Sequence, residues 1–377
     1  MEKDNNRDDS LHPRNISRRH FIKLAAATGL LAGCSPTQQP DIASTIEPTM
    51  KPTTAPIIEP TIEPTIEPTS TSLPTIAPHQ QEIIKMYPDV PSKVVHTHHA
   101  GVWDGETLAP EALRQMLDRS ITALTGLNDA TAAWATLFAP GERVAIKTNS
   151  HPGGSTHVPL VMAVAERLQA AGVPAEQILV FDRYSIELEG EGYPVNQDGP
   201  GVRCHGTDLN YVAGWTLMDT DIELSDLVLN CDALINIPIL KAASGPGISF
   251  AMKNHYGTFD KPSNFHRPKF ERALAELNAL SPIKSRTRLI VGDMLTVNSR
   301  RDTAGYRMIG TGDSILMSFD PVAHDTIGLQ LVSEALTAEG KSPEATISQA
   351  TPWLQAAAEL EVGTNDPNHI ELVEVTL

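Results

Sequence analysis

The chain has 377 residues, 41% hydrophobic and 5% aromatic, enough for a mainly aliphatic core in one large domain or two ordinary ones. Its 46 acidic and 29 basic side chains give a formal charge of -17, and so acidic a surface argues against a nucleic-acid partner. Three cysteines are too few for a disulfide scaffold, a four-thiolate zinc site or an all-cysteine iron–sulfur cluster.

Residues 1–34 read as an address. The segment Ser17-Arg18-Arg19-His20-Phe21-Ile22-Lys23 resembles a twin-arginine export signal, with Arg18 and Arg19 as its pair. The apolar run from Leu24 to Leu31 is broken by Thr28 and Gly29, which suits a signal-peptide core and is too short to span a bilayer. Leu31-Ala32-Gly33-Cys34 then resembles a bacterial lipoprotein box, in which the cysteine thiol receives lipid. These resemblances imply the twin-arginine export machinery as a partner, a membrane reached through lipidated Cys34, and an extracytoplasmic location in the envelope. Acyl chains stabilise attachment by about 0.8 kcal/mol per buried methylene.

Residues 35–81 read as a disordered spacer rich in Pro, Thr and Glu. Pro48, Pro52, Pro56, Pro60, Pro64 and Pro68 recur at every fourth position. Proline removes backbone donors and fixes φ, so neither helix nor sheet propagates there. An extended, polyproline-like stalk of this length reaches about 100 Å or more, at roughly 3.1 Å per residue where fully extended.

Residues 82–377 read as an α/β domain with a largely parallel or mixed sheet flanked by helices. Strands are expected at Val94-Val95, Val144–Ile146, Ile178–Phe181, Ala233–Ile237, Leu289–Val291 and Ile315–Met317. Helices are expected from Leu160 to Ala171 and from Pro321 to about Leu336. In open α/β sheets ligands collect outside the carboxyl ends of the strands. Lys147, Asn149, Asp182, Asn236, Asp293 and Asp320 stand just after apolar strand runs, so parallel strands would bring them to one rim. Asp182, Asp293 and Asp320 together suit a divalent metal, although Asp320 before Pro321 suits a helix N-cap equally well. His96 and His98 alternate on one predicted strand, a weaker metal pattern.

The densest polar run is Met252-Lys253-Asn254-His255-Tyr256-Gly257, with Lys241 ahead of it. Lysine binds anions or acts as a base when desolvated, and histidine transfers protons near neutral pH. Lys253 and His255 are therefore the candidate catalytic pair. Lys147, Asn149, Lys241 and Asn254 are the candidate ligand-binding residues.

Four segments resemble, in order, the bacterial and archaeal family called domain of unknown function 362. They are Val144–Asn149, Cys231–Lys241, Met252–Gly257 and Asp320–Asp325. The resemblance covers most of 140–335 and implies an α/β fold and a ligand or enzyme site, without an established reaction. Some relatives carry ferredoxin-type cluster domains, but this chain lacks their cysteine series, so an iron–sulfur cofactor is not expected. Cys204 and Cys231 could pair or stay as buried thiols. Two readings remain open: a protein that binds a metal or polar ligand and catalyses an unassigned reaction, or a non-catalytic envelope lipoprotein that binds a solute or partner.

Overall fold

The computed structural model describes residues 77–377 except 153, 267 and 299–307. The twin-arginine segment, Cys34 and most of the proline-rich spacer lie outside the described residues. Packing begins slightly earlier than residue 82, because Pro78–Gln81 form a short helix and the Gln80 amide donates to Leu137 O at 3.1 Å.

Fourteen strands occur in chain order among the described residues. They are β1 (Ser92–His98), β2 (Trp103–Asp104), β3 (Thr107–Leu108), β4 (Val144–Lys147), β5 (Ile178–Phe181), β6 (Arg203–Cys204) and β7 (Tyr211–Leu217). They continue with β8 (Thr220–Ser225), β9 (Ala233–Asn236), β10 (Ile239–Ala243), β11 (Gly247–Ser249), β12 (Thr287–Asn298), β13 (Met308–Ser318) and β14 (Ile370–Thr376). Ten of them form one mixed sheet whose main path is β14-β1-β13-β12-β9-β4-β5-β6, with β10 joined to β12 and β11 to β10. From β12 through β9, β4 and β5 to β6 each strand is parallel to the next, and β10 is parallel to β12. β13 runs antiparallel to both β12 and β1.

Alternation along the strands splits the apolar residues between two layers. Val144, Ile146, Val180, Ile235, Val291 and Met317 pack with Leu113, Met116, Trp134 and Leu160 from the helices Pro110–Thr125, Ala130–Leu137 and Val158–Ala170. Ala145, Leu234 and Leu316 pack on the other side with Leu274, Val332 and Trp353 from Phe270–Ala279, Pro321–Ala338 and Glu344–Glu359. Strands covered on both faces read as short, nearly continuous apolar runs, which is why β4, β5 and β9 were visible as such. No described helix is long and apolar enough to cross a membrane.

Two thiols remain unpaired: Cys204 and Cys231 are both buried and free. Burial pushes each up to about 12, so both stay protonated and unreactive.

Candidate functional site

The parallel register of β4 and β5 sets Lys147 opposite Phe181, so Lys147 and Asp182 leave adjacent strand ends side by side. Lys147 Nζ donates to Asp182 Oδ1 at 2.7 Å and to Thr148 O at 2.6 Å, with only 1% of the lysine side chain exposed. Asp182 Oδ2 accepts from Ser150 N and Oγ at 2.7 and 2.9 Å. This buried pair forms the back of a cleft of about 420 Å³, together with Asn149, Arg183, Glu187, Lys241, Lys253 and Asn254.

Four cationic side chains face two carboxylates in that cleft, so it is locally basic on a protein of formal charge -17. Lys241 Nζ donates to Gly154 O at 2.7 Å and Asn149 Oδ1 at 3.1 Å. Burial, helped by repulsion from Lys253 and Lys147 and opposed by Asp182, pulls Lys241 down to about 7. Burial also lowers Lys253, whose ammonium sits 5.5 Å from the centre of the Tyr256 ring. Glu187 is raised, by burial first and by the Asp182 charge second.

The Lys253–Gly257 segment is fixed from behind. Asp325 Oδ1 and Oδ2 accept from Ala251 N and Met252 N at 2.8 and 3.0 Å, holding the first turn of the short helix Ala251–Asn254. Asn254 Oδ1 accepts from Lys147 Nζ at 3.3 Å, and Asn254 Nδ2 donates to Asn236 Oδ1 at 2.7 Å. Gly257 is required by close approach. A Cβ there would lie 2.5 Å from Asp182 Oδ1 and 2.9 Å from Lys147 Nζ.

The six residues expected to bind ligand or catalyse do not all meet. Lys147, Asn149, Lys241, Lys253 and Asn254 line the cleft, whereas His255 lies behind it, 1% exposed. Burial, with the Lys147 charge as a lesser cause, drives His255 down to about 3, so it is neutral and no acid or base near neutrality.

The three carboxylates expected to share a metal also do not converge, and no group of three or more His, Cys, Asp or Glu among the described residues suits one. Asp182 lines the cleft, but four donors already occupy it, the fourth being Arg183 N. Asp293 lies within β12, not after it, and its carboxylate accepts from His157 N, Leu295 N and the His157 ring. Asp320 follows β13, whose antiparallel course delivers it to the opposite end of the strands, level with the start of β12. There it caps Pro321–Ala338, accepting from Val322 N, Ala323 N, Ser92 Oγ and Thr364 N. His96 is likewise engaged with Glu374 at 2.8 Å.

Arg183 and Glu187 were not anticipated. The signal was available, since both follow β5 directly behind Asp182.

An α/β domain with a polar cleft at the carboxyl ends of parallel strands is thus the class this chain defines. The family model described as domain of unknown function (DUF362) matches residues 144–330, a span that holds every lysine of the cleft. The match supports the family resemblance for that segment. No curated protein sequence matches. Among solved structures, the lactate racemase apoprotein from Thermoanaerobacterium thermosaccharolyticum aligns with a TM-score of 0.40 and 11% identity. That alignment covers 68% of this chain and 58% of the other. A structural-genomics protein from Thermotoga maritima aligns with a TM-score of 0.32 and 9% identity, over 68% of this chain and 60% of the other.

Proposed function

We propose that this chain is an exported, lipid-anchored bacterial envelope protein whose α/β domain binds a small anionic ligand, phosphorylated or carboxylated. The observation that carries the reading is the excess of cationic groups in one cleft, Lys147, Arg183, Lys241 and Lys253 against Asp182 and Glu187. Lysines desolvated in a concave site bind anions strongly, because solvent screens them little. Lys147 is neutralised by Asp182, so the charge offered to a ligand comes from Lys241, Lys253 and Arg183, which line the same cleft. Should the ligand be turned over, Lys241 rather than His255 is the group able to exchange a proton near pH 7.

Calorimetric titration with inorganic phosphate and with malonate tests this reading. Lys253→Ala is expected to weaken the tighter of the two at least tenfold without lowering the unfolding midpoint. Equal binding by wild type and by Lys253→Ala plus Lys241→Ala would overturn it. The address is tested separately by cell fractionation. Arg18→Lys with Arg19→Lys should leave the protein in the cytoplasm, and Cys34→Ala should export it without fatty-acid label. Lipid label on the Cys34→Ala protein would refute the anchor.

A further inference from the structure

The Lys147 ammonium and the backbone carbonyl of Ala251 fix how the amides of Asn254 and Asn236 are turned behind the cleft. An ammonium only donates, so the Asn254 atom facing it at 3.3 Å must be Oδ1. Asn254 Nδ2 is then turned to Asn236, where it donates to Oδ1 at 2.7 Å. Asn236 in turn presents Nδ2, which donates to Ala251 O at 2.8 Å and faces His255 Nε2 at 3.3 Å. A nitrogen that faces an amide donor must accept. The proton of the neutral imidazole is therefore on Nδ1.

That Nδ1 is buried and has no partner among the described residues. His255 also lines a second, small cavity of about 30 Å³, away from the cleft, whose other polar lining residues are Asn278, Lys284 and Thr287. A cavity holds a water once it offers about 10–15 Å³, so this one has room, and a buried water settles where it finds two to four polar partners.

We infer that His255 is a positioning residue, locked as the neutral Nδ1–H tautomer, and that its Nδ1–H donates to one buried water in this cavity. The relay from that water through His255, Asn236 and Asn254 holds the Asn254 carbonyl edge towards Lys147 and Asn149. It thereby sets the acceptors at the back of the ligand cleft. This inference deepens the anion-binding reading, since the groups it orders are those of the same cleft, but its test does not need a ligand.

The experiment is long-range 1H–15N correlation spectroscopy of the full-length protein labelled with 15N-histidine. The His255 signal, assigned by its loss in His255→Gln, should show a protonated Nδ1 and a bare Nε2, unchanged between pH 5.5 and 8. A protonated Nε2, or a transition to imidazolium in that range, would overturn the inference. Asn236→Leu supplies the readout that a merely structural histidine would not move. Without the amide donor at Nε2, the imidazole is released from a single tautomer, and the pure Nδ1–H signature should be lost. A folded Asn236→Leu protein that keeps the pure Nδ1–H signature would refute the relay. High-resolution diffraction should place one water within hydrogen-bond distance of Nδ1; apolar closure of the cavity would overturn that part. Failure of phosphate and malonate to bind, with the Nδ1–H tautomer observed, would sink the ligand reading alone.

Discussion

Gly257→Ala strikes the closest approach in the cleft. Gly257 does not adopt a positive φ, so the substitution adds no left-handed strain and its whole effect comes from one methyl group. That methyl would sit 2.5 Å from Asp182 Oδ1, 2.9 Å from Lys147 Nζ and 3.0 Å from Lys147 Cε. All three atoms belong to an ion pair with 1% and 8% of its side chains exposed, so neither partner has room to swing into solvent. Either the pair separates or the segment carrying Lys253 and Asn254 moves out. Overpacking a closed site costs about 1–3 kcal/mol, and breaking a buried pair about 3–5 kcal/mol. Between those two outcomes we expect a loss of about 2–4 kcal/mol, at the junction of the two ranges. Urea unfolding followed by circular dichroism should show a lowered midpoint with an unchanged slope. Gly141→Ala is the control, because its added Cβ meets nothing within 4 Å, and it should stay within about 0.5 kcal/mol of wild type. A Gly257→Ala midpoint equal to that of wild type would refute the close approach and with it the geometry of the pair.

Two further predictions separate structure from ligand binding. Asp320→Ala strips a helix cap and strands three backbone N–H donors and the Ser92 hydroxyl, so stability should fall by about 2–4 kcal/mol. Phosphate affinity of the folded fraction should be unchanged, and a selective loss of binding in that variant would return Asp320 to the site. The second concerns Lys241, whose pKa falls from 10.5 unfolded to about 7 folded. The unfolded chain then binds more protons between those values, so this group's contribution makes stability rise as pH climbs from 7 towards 10.5. Anion binding has the opposite sign, because Lys241 loses its charge over the same interval. Sulfate, whose own charge is fixed, should bind more weakly at pH 8.5 than at pH 6, and Lys241→Met should remove that dependence. Parallel pH profiles for the two proteins would show that Lys241 does not face the ligand.

Residues at the ends of short buried strands were the legible part of this site. Lys147 and Asp182 were found because β4 and β5 are parallel, so the rule that ligands gather at carboxyl ends holds for both. The same rule failed for Asp320 because nothing in Ile315–Met317 announces which way the strand runs, and β13 is antiparallel. It failed for Asp293 because β12 continues to Asn298, so the carboxylate lies inside the ladder and meets His157 instead of a ligand. The alternation of strand and helix revealed the class of fold, yet the helices Phe270–Ala279 and Glu344–Glu359 that cover one face were not anticipated. His255 illustrates the remaining gap. Its neighbours in the chain are polar and glycine-rich, which suggests a solvent-facing loop, while its depth is set by strands and helices far away in sequence. Desolvation is a property of the assembled core, and no local pattern encodes it.

Asp325 offers the sharpest test of how the cleft is held, since it touches the site only through backbone. It lies on Pro321–Ala338, fully buried beside His324, whose ring rests 4.3 Å from that of Phe250. Its two oxygens accept from Ala251 N and Met252 N, the first donors of the turn that carries Lys253, Asn254 and His255. Short helices depend on such external acceptors, because four residues cannot satisfy their own leading N–H groups. Asp325→Asn keeps the shape but replaces one acceptor with a donor aimed at a backbone N–H, which costs about 1–3 kcal/mol for the orphaned group. The turn should then fray, and Lys253 should lose its fixed position over the cleft. Hydrogen exchange should quicken at residues 251–256 while the amides of β4 and β5 stay protected. Phosphate or malonate should bind several-fold more weakly although Asp325 never meets the ligand. Unaltered exchange at 251–256 alongside weakened binding would mean that Asp325 acts by another route than this cap. Quickened exchange with full affinity would mean that the lysine needs no such support.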